Sequence, residues 1–468
     1  MKKGVVFFII FGAIILWIYL FNQSQRLDEK PLPLELTLAS LIYIISIIPT
    51  VIYFFRKEEN LPFLPAFSIV YFIYFGLGVF TRYHLIQSAY IEHEVLIKVL
   101  NLSLLGIFVF LVSFYSPFYQ LFKPLCPRLD ISWNPQAVYK LALYTGISGL
   151  FFFYLNDTFS IIILSQGTTA FLTELTRFSI AIFYLLILQK QIAGRGKLIF
   201  LIIFILRLMQ DLGTGSTSLV VVDLSIILFL YIYYHKKVPF NHILFSLVFF
   251  VLIFGVRDEF RKQVWYSGEY SRSNFFAKAG VYFRLIFEDL LHHKEREGKK
   301  YEEYEKVLQR ADALITFSKV VTLTPEIIPY WNGYTYRYLY TSLVPRFLYP
   351  AKPMKILGQE FGHRYELLDP YDYTTSYNLP VLVEFYVNFG SLGIIVGMFI
   401  LGFFFRILYQ IFNYTHSGEG GIIIATVLLT VYYNLESDLS LLFGNFIHYV
   451  FLLYLLLKFN LVSTKRIL

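Results

Sequence analysis

Charge is what this 468-residue chain has little of. Asp, Glu, Lys and Arg make up 15% of it, against about a quarter in an ordinary soluble domain. The deficit falls in long apolar runs of about 20 residues, the length a helix needs to cross the hydrocarbon core of a bilayer. With 57% hydrophobic residues gathered in such runs, a water-soluble fold could not hide its apolar surface. Cysteine is almost missing, and Cys126 alone excludes an intrachain disulfide. The motifs of familiar soluble enzymes are missing too: there is no phosphate-binding Gly loop, HExxH, CxxC or GxSxG. The adjacent His292 and His293 would point about 100 degrees apart on a helix, a poor two-ligand site. No acidic cluster in the neighbouring segment asks for a metal, so neither a metal nor a cofactor is expected. The formal charge of +8 does not gather on one soluble stretch, which argues against nucleic acid as a partner. There is no internal repeat.

What the chain does have is aromatic residues, 20% of the total, with 50 Phe and 38 Tyr. Phe suits lipid-facing helices and Tyr suits the headgroup level. Apolar runs predict spans near 4–21, 34–55, 61–80, 95–119, 138–155, 171–189, 198–213, 216–234, 239–256, 381–405, 420–435 and 440–460. The first lacks a small-residue cleavage site and is read as an anchor. The expected fold is thus an all-α polytopic membrane protein of about twelve transmembrane helices. Residues 1–256 form an N-terminal bundle of about nine helices, 257–380 a large extracytoplasmic loop, and 381–468 a C-terminal bundle of about three. Lys and Arg in the short loops set the orientation. Placing both termini in the cytoplasm puts Arg56, Lys57, Lys123, Arg128, Lys190, Arg195, Lys197, Lys236, Lys237, Arg406, Lys458, Lys465 and Arg466 inside, and only Arg26, Lys30, Arg82 and Arg177 in the short outside loops and their flanks.

The 257–380 segment is rich in charge, Tyr and Pro, and is long enough to need structure of its own. Val307, Ala311, Leu314 and Val321 share a stripe, which predicts an amphipathic helix over 299–321 that ends at Thr324-Pro325. Polar residues also gather at the outer ends of spans. Arg207 and Asp211 stand four apart with Gln210 between them, and Asp223 lies inside the next span. Glu384 and Asn388 open the span after the loop, and Asn434, Glu436 and Asp438 lie at the last outer turn. Ionisable groups inside a membrane are costly and usually face a bundle interior or a watery cavity. Here they read as a polar chamber open to the outside, with Arg207–Asp211 equally readable as a structural ion pair. The run from Tyr330 to Tyr338 offers aromatic faces, which stack on sugar rings or on Arg and also form interfacial belts. Around Pro345, Pro350 and Pro353 the backbone is stiff, so Arg346 and Lys352 are held in defined places, where fixed cations suit a diphosphate or lipid headgroups.

The stretches Pro345-Arg346 through Lys352-Pro353, and Leu382-Val383-Glu384-Phe385-Tyr386-Val387-Asn388-Phe389-Gly390-Ser391-Leu392-Gly393, resemble the oligosaccharide repeat-unit polymerases, the O-antigen polymerase family. Arg310 upstream of Thr324-Pro325, and Gly333-Tyr334-Thr335-Tyr336 after it, are similar to that family as well. The likeness spans roughly residues 200–405 and is strongest over 310–393; the first 190 residues share only hydropathy. The resemblance implies a GT-C-like glycosyltransferase in the bacterial cytoplasmic (inner) membrane. It would extend a polysaccharide carried on undecaprenyl diphosphate at the outer face. Its partners would be undecaprenyl-diphosphate-linked oligosaccharides, membrane lipids and a chain-length-regulating co-polymerase. The diphosphate is its own leaving group, so no nucleotide is required. Arg346, Lys352 and Arg310 are assigned to the diphosphate or an acidic sugar, with Arg257, Arg261, Tyr336 and Asn388 as further substrate contacts. Glu384 and His363 are the contenders for the base. The related ligases carry a His-Asn motif where this chain reads Ser376-Tyr377-Asn378-Leu379-Pro380, which favours polymerase. A ligase-like lipid-linked glycosyltransferase is the second reading. A transporter, expected to show discontinuous helices near the bilayer midplane, is the third.

Overall fold

The computed structural model describes residues 2–27, 29–56, 59–122, 124, 129–132, 134–159, 166–215, 217–237, 239–266, 270, 275–291, 313–344, 349, 351, 355–373, 375–414, 418–432, 435–444, 446 and 463–466. Helix dominates them, as the apolar runs require. A chain in lipid has no water to satisfy its backbone, and a helix closes those hydrogen bonds within one segment. Leu129–Ser132 and Ser463–Arg466 pair as a short antiparallel ribbon.

Among the described residues six helices are long and apolar enough to cross a membrane: Val6–Gln25, Pro33–Phe55, His93–Leu121, Pro135–Leu155, Thr217–His235 and Val381–Asn413. The chain therefore has the make-up of a transmembrane protein. The other expected spans take different forms. The 61–80 run is divided at Gly76 into Phe63–Phe75 and Leu77–Thr81. The 171–189 and 198–213 runs lie in Gln166–Leu188 and Gly194–Gly213, which carry buried charges. The 239–256 and 420–435 runs give the shorter helices Phe240–Gly255 and Glu419–Tyr432. Most of 440–460 lies outside the described residues.

Two compact units divide the chain, and neither is contiguous. The first comprises Met1–Arg128, Gln309–His416 and Tyr432–Ile447. In it, Val381–Leu408 packs along His93–Tyr115, and Pro33–Phe55 packs on both Phe63–Phe75 and His93–Tyr115. The long helix shows two apolar faces. Ile394, Met398, Leu401 and Phe405 point into the unit, while Leu392, Ile395, Val396, Phe399 and Ile400 are exposed. An outward face of that composition suits lipid and not water. Where the two helices are closest, Gly402 lies against the Phe110 carbonyl and the Ser113 hydroxyl donates to the Phe399 carbonyl at 2.6 Å. Small residues let membrane helices approach in this way. Much of the aromatic content fills this interior: Phe67 stacks on Phe110 at 4.4 Å and contacts Phe405 at 5.4 Å, and Phe114 meets Tyr409 edge-on at 5.0 Å.

Part of the segment expected to form the large loop also belongs to this unit. Ala313–Leu323 packs against His93–Tyr115 and Phe63–Phe75, with Leu314, Phe317 and Val320 fully buried. Its end at Leu323 agrees with the stop expected at Thr324-Pro325. The earlier part of the predicted amphipathic helix, including Val307 and Ala311, lies outside the described residues, as do His292 and His293.

The feature that positions the candidate site is a break in the long helix. Phe389 (φ −143°, ψ 21°) and Gly390 (φ 60°, ψ −144°) leave helical geometry. The second conformation is open to glycine almost alone. A Cβ at Gly390 would also fall 2.6 Å from the Tyr330 hydroxyl. The short piece before the break, Val381–Asn388, is buried at every position.

The second unit comprises Leu129–Leu308, Ser417–Val431 and His448–Leu468. Pro135–Phe159 packs on Gln166–Leu188, which touches Gly194–Gly213 and Thr217–His235 in turn, and Phe275–Leu291 lies on Gly194–Gly213. Leu212, Val220, Ile253, Phe260, Tyr282 and Leu285 form one core, in which the buried Tyr282 hydroxyl donates to the Ile253 carbonyl at 2.9 Å.

Gly390→Ala tests the break. Strained backbone plus the clash with Tyr330 should cost about 1–3 kcal/mol, read as a lower melting temperature of the detergent-purified protein. An unchanged melting temperature would mean that the break does not require glycine.

Candidate functional site

Glu384 sits in the first turn of Val381–Leu408 and is 1% exposed. Its Oε2 accepts the Leu439 N–H at 2.7 Å. Leu439 follows Asp438, which begins a helical turn: Asp438 Oδ1 accepts from the backbone N–H of Ser440 and Leu441 and from the Ser440 hydroxyl. Asp438 is itself gripped by Lys355, whose Nζ lies 2.7 Å from both carboxylate oxygens. Two carboxyl groups thus share one corner, with a single lysine on the Asp438 side.

Asn388 lies one turn further on. The sequence reading assigns it to substrate contact. Instead its Nδ2 donates to the Glu384 backbone carbonyl and to the Thr335 hydroxyl, both at 2.8 Å, and its Oδ1 accepts the Gly333 N–H at 2.9 Å. The reason lies in the break. There the carbonyls of Val387 and Asn388 accept the N–H groups of Trp331 and Asn332 at 2.8 and 3.2 Å, so the 331–335 turn lies against Asn388. Asn388 is fully buried and its side chain is committed to holding that turn. Gly333 (φ 88°) makes the turn possible.

The turn leads into Tyr334–Tyr336 and the helix Arg337–Leu343. Tyr336 is half-buried beside Phe389. Burial and then the Glu384 carboxylate push its phenol above the ordinary range, so it remains a neutral hydroxyl. Arg337 lies over the Tyr334 ring at 3.6 Å and the Tyr338 ring at 4.7 Å. Its Nη2 is 3.0 Å from Glu360 Oε1, and the hydroxyls of Tyr334 and Tyr338 donate to Glu360 Oε1 and Oε2 at 2.8 and 3.2 Å. Arg364 lies over Trp331 at 5.3 Å and donates to the Pro329 carbonyl. Of the uses expected for these aromatic faces, stacking on Arg is realised. The cluster is partly exposed, with 40% of the Arg337 side chain and 24% of the Glu360 side chain accessible. Glu360 was not singled out in the sequence; its only signal was its place in the acidic first turn of the amphipathic helix Leu357–Arg364.

His363 is on that same short helix, with its ring 5.3 Å from Tyr373 and its Nε2 buried without a hydrogen-bond partner among the described residues. Arg310, Arg346 and Lys352 lie outside the described residues. Arg257 and Arg261 belong to the other compact unit. There Arg257 is buried over the Phe254 ring at 4.2 Å, and Arg261 donates to the Gly215 carbonyl at 3.1 Å. The polar residues expected in one chamber thus divide between units. Glu384, Asn388, Glu436 and Asp438 are in the first, and Arg207, Asp211 and Asp223 are in the second. The Arg207–Asp211 pair is present at 2.8 Å. Arg207 also reaches Asp223, which in turn binds Arg177. Arg177 and Glu174, paired at 2.8 Å, were not recognised as part of this group. Two opposite charges three apart in an apolar run are the signal that could have marked them.

Residues 132–468 match a family model described as a domain of unknown function, DUF8712, and the chain belongs to that family. No curated protein and no solved structure matches it.

Asn388→Ala should remove three hydrogen bonds and leave the part-buried Gly333 N–H without its acceptor, a loss of about 2 kcal/mol. It should appear as a lower melting temperature and easier proteolysis near 331–335. Full stability in this variant would show that the turn holds without its clamp.

Proposed function

We propose that this member of the DUF8712 family is a membrane glycosyltransferase that joins polyprenyl-diphosphate-linked oligosaccharide repeat units at the outer face of the cytoplasmic membrane. In this reading the fold has about twelve spans, both termini in the cytoplasm and a GT-C-like arrangement. The observation that carries it is the position of Glu384. It is a buried carboxyl at the start of an apolar helix, and the turn clamped beside it by Asn388 leads directly into a partly exposed cluster of Tyr and Arg. The resemblance to repeat-unit polymerases is strongest over the same residues.

The reaction is the one the resemblance implies. A sugar hydroxyl of one lipid-linked unit attacks the anomeric carbon of the glycan on another, the bond to the lipid diphosphate breaks, and the diphosphate leaves. Glu384 accepts the hydroxyl proton, with His363 as the alternative base. Arg346, Lys352 and Arg310 carry positive charge to the departing diphosphate. Tyr336, kept neutral, can donate to a sugar oxygen. In the ligase reading a His-Asn motif would precede this helix. Here the stretch 376–380 contains Asn378 but no His, which favours the polymerase. The break at Phe389-Gly390 resembles a transporter's discontinuous helix in kind. It falls about two turns from the start of a 28-residue helix, whereas a transporter's break belongs near the midplane.

Deleting the gene should leave surface glycolipid bearing one repeat unit, and the wild-type chain should restore long polymer. Glu384→Gln keeps the shape of the side chain but cannot take a proton. It should lower polymer formation roughly a hundredfold at normal protein level. Long polymer from the deletion strain would end the proposal, and near-normal polymer from Glu384→Gln would transfer the base role to His363. The orientation has its own test. A reporter active only outside the cytoplasm should work when fused after residue 298 and fail after residue 237; the reverse pattern would place the chemistry on the wrong side.

A further inference from the structure

We infer that the helix Phe275–Leu291 rests in lipid at the membrane boundary, with its exposed Phe and Leu face among the acyl chains. The polar composition of 257–380 conceals this, because the two faces of the helix differ only in what they touch. One face is committed to the protein. Ala279, Val281, Tyr282 and Leu285 are buried, and the helix packs along Gly194–Gly213. The opposite face carries Phe276, Phe283, Phe287, Leu290 and Leu291, which are between 48% and 65% exposed. At 3.6 residues per turn these five fall within an arc of about 100 degrees. Gly280 lies in the same arc, and a Cβ there would meet nothing within 4 Å. A stripe of three Phe and two Leu is not a face that a protein ordinarily shows to water.

Three observations identify bilayer lipid as what covers the stripe. The buried face joins a core with Leu212, Val220 and Ile253. These belong to the last turn of Gly194–Gly213, the first turn of Thr217–His235 and the last turn of Phe240–Gly255. The helix therefore packs where apolar helices end, at the level where the bilayer gives way to water. The stripe is also continuous with surface that already suits lipid. Phe276 stacks on Tyr154 at 5.2 Å, in the membrane-crossing candidate Pro135–Leu155. Ile147, Phe151 and Phe152 of that helix are exposed, as are Leu201, Ile202 and Ile205 of Gly194–Gly213. Finally, charge lies at the edge of the stripe. Arg284 donates to Gln263 Oε1 at 2.8 Å and stands 3.8 Å from Glu288, and both side chains are partly exposed. Such a pair needs headgroups or water, which places the helix at the boundary and not at the midplane. Its 17 residues cover about 25 Å, short of the roughly 30 Å of hydrocarbon core, so it lies there without crossing.

The test uses the full-length protein in vesicles of phosphatidylethanolamine and phosphatidylglycerol. Nitroxide labels are attached one at a time through Phe283→Cys, Phe287→Cys, Leu291→Cys and Glu288→Cys, in a chain whose single cysteine is removed by Cys126→Ser. At the first three positions the label should collide several-fold more with oxygen, which concentrates in lipid, than with a water-soluble nickel chelate. At Glu288 the chelate should win. A phospholipid with a photoactivatable diazirine on its acyl chain then probes the unsubstituted protein, where no variant can misfold. It should mark 283–291 as well as the exposed side of 198–205. Labels at Phe283 and Phe287 as open to nickel as the one at Glu288 would put the stripe in water and overturn the proposal. Labels closed to both reagents, with no lipid adduct on 283–291, would assign the face to a second copy or another protein and overturn it equally.

Discussion

Two backbone hydrogen bonds, from Trp331 to Val387 and from Asn332 to Asn388, connect the candidate site to the helix that carries it. Their importance comes from the solvent. Helix carbonyls in a membrane protein must find donors within the protein, because lipid offers none. A break at Phe389-Gly390 removes the regular partners, and the 331–335 turn supplies replacements. Asn388 extends the same capping with its side chain, and Asn332, Gly333 and Gly390 supply the left-handed conformations that bring the segments together. Glu384, Thr335 and Tyr336 are placed relative to one another as a consequence. The stretches 333–336 and 382–393, described parts of the resemblance to a polymerase motif, are therefore joined by hydrogen bonds, and Asn388 serves the backbone before it can serve a substrate.

The same constraint has a second solution in the other unit. There the groups that water would otherwise solvate are charged side chains, and they pair with each other. Arg207 and Arg177 both bind Asp223, and the flanking acids bind the outer sides of the two arginines. Breaking one member of such a network leaves an uncompensated charge, so its members depend on each other. In the first unit, Asp438 is instead neutralised by one lysine and an array of N–H donors at the start of a helical turn, and Glu384 accepts the N–H next to it.

Hydropathy made the long helices legible because the bilayer imposes their length and composition directly on the chain. Six of them meet both criteria. The shorter Phe63–Phe75, Phe240–Gly255 and Glu419–Tyr432 lie in runs of similar hydropathy; the length of the first follows from the break at Gly76, which a hydropathy window averages away. The Arg207–Asp211 pair was legible from its four-residue spacing on one helix. Its links to Asp223 and Arg177 were not, because they join three helices. The Lys/Arg count treated Arg177 as a loop flank, although it is buried and paired.

The amino-acid sequence by itself determined that this is a helical membrane protein, which runs are apolar, and that Glu384 and Asn388 share one face of the helix after the long polar segment. These are properties of neighbouring residues, expressed through hydropathy and a 3.6-residue period. Only the tertiary structure decided that Asn388 clamps a turn from residues 331–335, that Glu360 joins Arg337 and two tyrosines, and that Ala313–Leu323 packs into the first unit. Each of those depends on segments distant in sequence meeting at hydrogen-bonding or packing distance, and no local pattern records which distant partner will fill a vacant donor, acceptor or apolar face.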